Sequence, residues 1–150
     1  MHLKTVSAIL LVLPLAAAAQ DPQFINPPGL SQPKGYSHVV VVPAGGQTIY
    51  LSGQVALDKD GKLVGKDDFA AQAEQVFANI DTALKAAHAS FANVVELTVY
   101  VTDATKVPAF RAARDKYIDT KHPPASTLVE VKQLFRDDLM IEVAAKAVIH

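Results

Sequence analysis

The chain has 150 residues, half of them hydrophobic, with a formal net charge of -1 at pH 7 and no cysteine. That length suits one domain with a well-filled core, and the near-neutral balance lacks the basic footprint of a nucleic-acid protein. The missing thiols exclude disulfides, thiolate nucleophiles and thiolate metal sites.

In chain order, "MHLK" makes a short cationic start, "TVSAILLVLPLA" an apolar run and "AAAQ" a small-residue cleavage site. This is the order of a secretory signal peptide, and the run is shorter than the ~20 apolar residues a membrane-spanning helix needs. Cleavage is expected after Ala19. Residues 1–19 are therefore read as a signal peptide, 20–35 as an N-terminal arm and 36–150 as the folded domain. The mature chain is expected to be exported, to a periplasm or beyond, with no membrane attachment after cleavage.

"DPQFINPPGLSQPKGYSH" carries four prolines and two glycines and reads as an irregular arm laid over the domain. "VVVVPAGGQTIYLSGQV" reads as two strands joined by a hairpin at Gly45-Gly46, and "DKDGKLVG" as a turn. Phe69, Ala73, Val76, Phe77, Ile80 and Leu84 recur at helical spacing, with Asp67 or Asp68 able to cap the N-terminus. "NVVELTVYV" is a strand with Val95, Leu97, Val99 and Val101 on one side. "ATKVPAFRAARDKYIDTKH" reads as a second helix, Pro108 being tolerated in its first turn. "PPASTLVEV" and "LMIEVAAKAVI" supply the last two strands, separated by the turn "FRDD".

The order β-β-α-β-α-β-β, with two helices to cover one face of a mixed sheet, predicts a two-layer α+β fold. In the last strand Leu139, Ile141, Val143, Ala145 and Ala147 point one way. Met140, Glu142, Ala144, Lys146 and Val148 point the other, and most of these are also apolar or small. A solvated face would alternate to polar residues, so the second face is expected to be covered by another subunit.

Most familiar catalytic constellations are missing. Without a G-x-S-x-G elbow, and with two prolines between His122 and Ser126, nothing brings a hydrolase triad together. The five histidines form no H-x-x-x-H pair, and "AGGQ" lacks the lysine and helix of a phosphate loop. What remains is a set of polar residues at strand ends or opposite the helices. Glu142 stands in an apolar strand, where an unpartnered carboxylate costs several kcal/mol. It either pairs with Lys146 or with an arginine across an interface, or it holds a water. Ser52 and Gly53 offer a hydroxyl and an accessible backbone. Tyr36 is a surface anchor or a lid. Ser126 and Thr127 stand at a strand's mouth.

"GYSH", "YLSGQVALDKDGKLV", "AAQAEQVFANIDTALKAAHASFANVVELTVYVTD", "PPASTLVEV" and "IEVAAKAV" together resemble the Rid family of reactive intermediate deaminases, also called YjgF, from about Phe24 to the C-terminus. The resemblance implies a chorismate-mutase-like fold and a homotrimer with ligand clefts between subunits. It also implies hydrolysis of small enamines or imines to a keto acid and ammonia, without a metal or organic cofactor. Tyr36, Ser52, Gly53 and Glu142 match the family's cleft residues. Leu128 takes the position whose backbone carbonyl, with the glutamate, positions the attacking water.

Three positions depart from the pattern. Ser126 stands where the family has the arginine that forks the substrate carboxylate. Arg111 falls where many members carry a cleft-facing asparagine, and it either replaces the lost guanidinium or, with Arg114, solvates its helix or pairs with Asp115. His88 takes a helix-ending position that is usually glycine. The expected function is hydrolysis of an altered imine or enamine, with Ser126, Thr127, Ser52 and Arg111 setting specificity. The alternative is a non-catalytic exported trimer that binds a small metabolite, a keto-acid-like ligand or a protein partner in its clefts.

Overall fold

The structure is a computed structural model that describes residues 21–150. The signal peptide and the cleavage position expected after Ala19 lie outside the described residues.

The strands are β1 (Gln23–Ile25), β2 (Val39–Val41), β3 (Gln47–Val55), β4 (Val94–Val101), β5 (Ala125–Glu130) and β6 (Ile141–Ile149). The helices are α1 (Phe69–Ala86) and α2 (Val107–Arg114), with short 3-10 turns before β4 and before α2. β3, β6, β4 and β5 form one mixed sheet in that order, and only the β4–β5 pair is parallel. This is the expected two-layer α+β fold.

Helix α1 forms where the apolar spacing requires it. Asp68 is the N-cap and accepts from the Ala71 amide at 3.1 Å, satisfying one of the orphan donors of the first turn. Val76, Phe77, Ile80 and Leu84 are fully buried against Leu97, Val99, Val101, Ile141 and Val143 of the sheet. The Phe77 ring centroid lies 6.0 Å from Phe91 and 5.9 Å from Phe110, which locks α2 to the same core. Gln72, fully buried, ties α1 to the start of β6. Its Nε2 donates to the Asp138 carbonyl at 2.8 Å and its Oε1 accepts from the Met140 amide at 2.8 Å. That contact fixes where Glu142 begins its strand.

Helix α1 ends with His88 in the left-handed region, φ 56°. A Cβ there is strained by about 1 kcal/mol. His88→Gly is therefore expected to stabilise the fold by about 0.5–1 kcal/mol, read as a higher denaturation midpoint with an unchanged slope. An unchanged midpoint would mean that the histidine ring compensates for the strain.

Four expectations need correction. The hairpin at Gly45-Gly46 does not form: β2 pairs with β1, Val39 facing Ile25 and Val41 facing Gln23. Pro43 has no N–H to continue a ladder, and β3 already pairs along its length with β6. Nor is the arm wholly irregular, since β1 lies within it. The second helix stops at Arg114, and the residues after it continue as turns. Finally, the β4–β6 register shifts between Val94 and Glu96. Such a bulge reverses the alternation, so Val94 rather than Val95 joins the helix-side core.

The second sheet face is covered only in part within the chain: Val95 and Val148 are buried near Val40 and Val42, and the rest is open. Thr98, Tyr100, Glu142 and Ala144 are half-buried there, and Tyr50 at the β3 edge is 76% exposed. Lys146 donates to Glu96 at 2.8 Å on this face, and that hydrogen bond holds its ammonium above the usual lysine pKa. Lys146 is thus paired with Glu96 and not with Glu142. Among the described residues no helix is long and apolar enough to cross a membrane.

Candidate functional site

The candidate residues fall into two groups, one at the β5 edge of the sheet and one on β3 and its inner neighbour β6. Tyr36, Arg111, Ser126 and Leu128 come together in a cavity of about 300 Å³, whose wall is completed by Lys34, Gly35, Val107, Phe110 and Arg114. Ser126 and Leu128 reach it because they face Leu97 and Val99 across the parallel pair, on the helix side of β5. Alternation sends Thr127 the other way, opposite Thr98, and leaves it exposed. The two hydroxyls expected to act as a pair therefore point to different faces, and Thr127 is not part of this cavity.

Arg111 has no carboxylate within salt-bridge distance among the described residues, because Asp115 is engaged by Arg114. Arg114 does not solvate the helix either: it is 3% exposed, and its Nη1 donates to the Gly35 carbonyl at 2.6 Å. The sequence signal for this residue was weak, since a second arginine three positions after Arg111 looks like an ordinary solvated helix end.

The other group is Ser52, Gly53 and Glu142. Glu142 is half-buried on β6, opposite Val55 of β3 and Tyr100 of β4. Gly53 lies directly against it, and a Cβ at that position would overlap the Glu142 carboxyl oxygen. The glycine is needed for space. Its neighbour Ser52 is exposed at the register shift of β3. No side chain of the described residues forms an ion pair with Glu142; its expected candidate, Lys146, is held by Glu96.

β3 and β5 lie at opposite edges of the four-stranded sheet, and Glu142, on the inner strand β6, is two strand spacings or roughly 10 Å from β5. Ser126 also faces the helix layer, whereas Glu142 pairs laterally with Tyr100 on the bare face. One subunit therefore cannot close a small-molecule cleft around both groups. The structure is thus an α+β protein that carries its candidate residues in two separate groups, on different faces of one sheet.

Known proteins share this fold. The family model described as Endoribonuclease L-PSP matches residues 29–149, and the chain belongs to this family, which includes the Rid and YjgF proteins. The protein DfrA of Myxococcus xanthus is 35% identical over 129 residues, covering 86% of this chain and 90% of that one. A RutC family protein of Sulfurisphaera tokodaii is 36% identical over 109 residues, 73% of this chain and 83% of that one. Among solved structures, YyfB of Yersinia pestis, from the conserved Rid protein family, superposes with a TM-score of 0.76 at 35% identity. It covers 85% of this chain and 98% of its own. The fold is chorismate-mutase-like, and members are typically homotrimers and often imine deaminases.

Proposed function

We propose that the protein is a Rid-type hydrolase of small imines or enamines, whose substrate carboxylate is held by Arg111 instead of a residue at position 126. The observation that carries this reading is the Arg111 guanidinium, free of any carboxylate partner among the described residues, in the cavity lined by Ser126 and Leu128. A neutral hydroxyl at Ser126 cannot fork a carboxylate, whereas a guanidinium across the same cavity can.

In the reaction, water adds to the C=N carbon and its oxygen forms the new bond. One of its protons passes to nitrogen to give a carbinolamine; the hydroxyl proton then also moves to nitrogen as the C–N bond breaks, releasing ammonia and leaving the carbonyl. An enamine first tautomerises to the imine, its β-carbon gaining a proton from water as its nitrogen gives one back to water. Glu142 of one subunit is the base that draws the proton from water and returns it to the leaving nitrogen. The Leu128 carbonyl of the other half-site accepts a hydrogen bond from the same water, and Ser52, Gly53 and Tyr36 shape the cleft. The half-sites meet in a homotrimer. A net charge of -1 and one unpaired guanidinium in the cavity suit a small monoanion better than an RNA backbone, which needs many cationic contacts. Export is part of the proposal, on the strength of the N-terminal pattern. Protein that stays in the cytoplasm and still begins at Met1 would refute it.

The test is direct. The mature protein is added to a lyase mixture that generates 2-aminoacrylate, and pyruvate release is followed with and without it, beside sedimentation of the same sample. Release faster than in the protein-free mixture, from a trimer, is the expected result. A monomer would leave the two half-sites apart. A trimer that binds pyruvate but matches the uncatalysed rate would favour the second reading, a non-catalytic metabolite-binding trimer, for which the loss of the forked contact at Ser126 speaks.

A further inference from the structure

We infer that Arg114 is the positioning residue of this cavity: through the Gly35 carbonyl it holds Tyr36 as a fixed wall and not as a lid. The inference rests on the reading of the cavity as a ligand site.

Arg114 ends α2, a place where an arginine is ordinarily solvated. Here all but 3% of it is buried, and its donors are shared among separate partners. Nε donates to Asp115 at 2.8 Å, Nη2 lies 2.7 Å from the same carboxylate oxygen, and Nη1 donates to the Gly35 carbonyl at 2.6 Å. The guanidinium carbon stands 5.5 Å from the centroid of the Phe110 ring. Burying a guanidinium is costly unless its donors are matched, so the contact with the arm is specified by the fold. A lysine could not replace it, because a single ammonium cannot serve the helix-end carboxylate and the arm carbonyl in one planar fork.

The arm is shaped to receive it. Gly35 has φ 79°, and a Cβ there would overlap Nη2 of Arg114. On the other side of Tyr36, Ser37 is buried. Its Oγ donates to the Pro123 carbonyl at 2.6 Å and its amide donates to the Pro124 carbonyl at 3.1 Å. Tyr36 is thus bracketed by two clamps, one from α2 and one from the segment that leads into β5. These are the elements that carry Arg111 and Ser126 to the cavity. The contacts of its immediate neighbours set the ring's distance from the guanidinium before any ligand arrives. A wall ordered in advance spares the ligand that ordering cost and limits the size of the group beyond its carboxylate.

Hydrogen exchange and tyrosine-ring NMR on the mature chain test this. Arg114→Lys is expected to speed exchange at the Ser37 and His38 amides by about tenfold, the effect of losing one charge-assisted hydrogen bond. The β6 amides should keep their rates, and the Tyr36 ring signals should move toward averaged values. Gly35→Ala attacks the same contact from the arm, so it supplies the same readout should the Arg114 variant fail to fold. Unchanged exchange at Ser37 and His38 would overturn the proposal. So would equal acceleration in the arm and in β6, which would make Arg114 a general stability residue. Exchange is read without ligand, so a wild-type protein that fails to bind pyruvate counts against the ligand-site reading and leaves the clamp standing.

Discussion

Glu142→Gln is expected to lower pyruvate and ammonia release by about 10²–10⁴-fold, the usual contribution of a positioned general base, with no loss of trimer. Glutamine keeps the size and hydrogen-bonding reach of the side chain but cannot take a proton from water at neutral pH. The carboxylate is suited to that role because it lies against Gly53 and Lys146 is already paired with Glu96. Gly53→Ala supplies an independent check. A Cβ there overlaps the Glu142 carboxyl oxygen, so the carboxylate must shift while its charge stays. Activity should fall in this variant too, although every titratable group is retained. Full activity in Glu142→Gln would remove Glu142 from the mechanism and leave positioning alone as the source of any rate.

Arg111→Ala is expected to weaken pyruvate binding about ten- to a hundredfold, since a hydrogen bond to a charged group contributes ~1.5–3 kcal/mol. Titration calorimetry on wild type and variant reads the difference. Putting the guanidinium back on the strand, as Arg111→Ala with Ser126→Arg, should recover most of the affinity, because both positions line the same cavity. Ser126→Arg alone places two guanidinium groups beside one carboxylate, and should bind pyruvate at least as tightly as wild type with a steeper dependence on salt. Unchanged affinity in Arg111→Ala would return Arg111 to the role of a helix-surface residue.

Much of the fold was legible because periodicity is a local property. Phe69 through Leu84 recur at helical spacing, and the same residues are buried along α1. The alternation of Ile141, Val143, Ala145 and Ala147 marks the helix-facing side of β6. The semi-apolar pattern of the opposite face called for a covering neighbour, and the family is typically homotrimeric. The pairing of β2 was misread, because a Gly-Gly turn signals only that the chain can reverse. Which strand β2 then meets depends on edges already taken elsewhere. Val95 was misplaced for a related reason, since one bulge reverses the faces of every residue on its far side.

The candidate site divides along the same line. Residue identity told which groups could grip a carboxylate or activate water: Glu142, Arg111, Ser126, Tyr36 and the Ser52-Gly53 pair are chemically distinctive in an otherwise apolar domain. Their arrangement was out of reach. Nothing in "PASTL" says that Ser126 and Leu128 share a cavity with Arg111 while Thr127 faces away. Nothing in "FRAAR" says that the second arginine is buried on Gly35 while the first stays unpaired.

By itself the sequence determined the helix and strand segments, the chemistry on offer and the need for a second covering surface. These follow from side-chain polarity and backbone preference within a few residues. The tertiary structure alone decided the partner of each strand, the separation of the two groups of candidate residues on the sheet and the burial of Arg114. Those depend on contacts between segments far apart in the chain, as from Gly35 to Arg114, and such contacts exist only once the layers have packed.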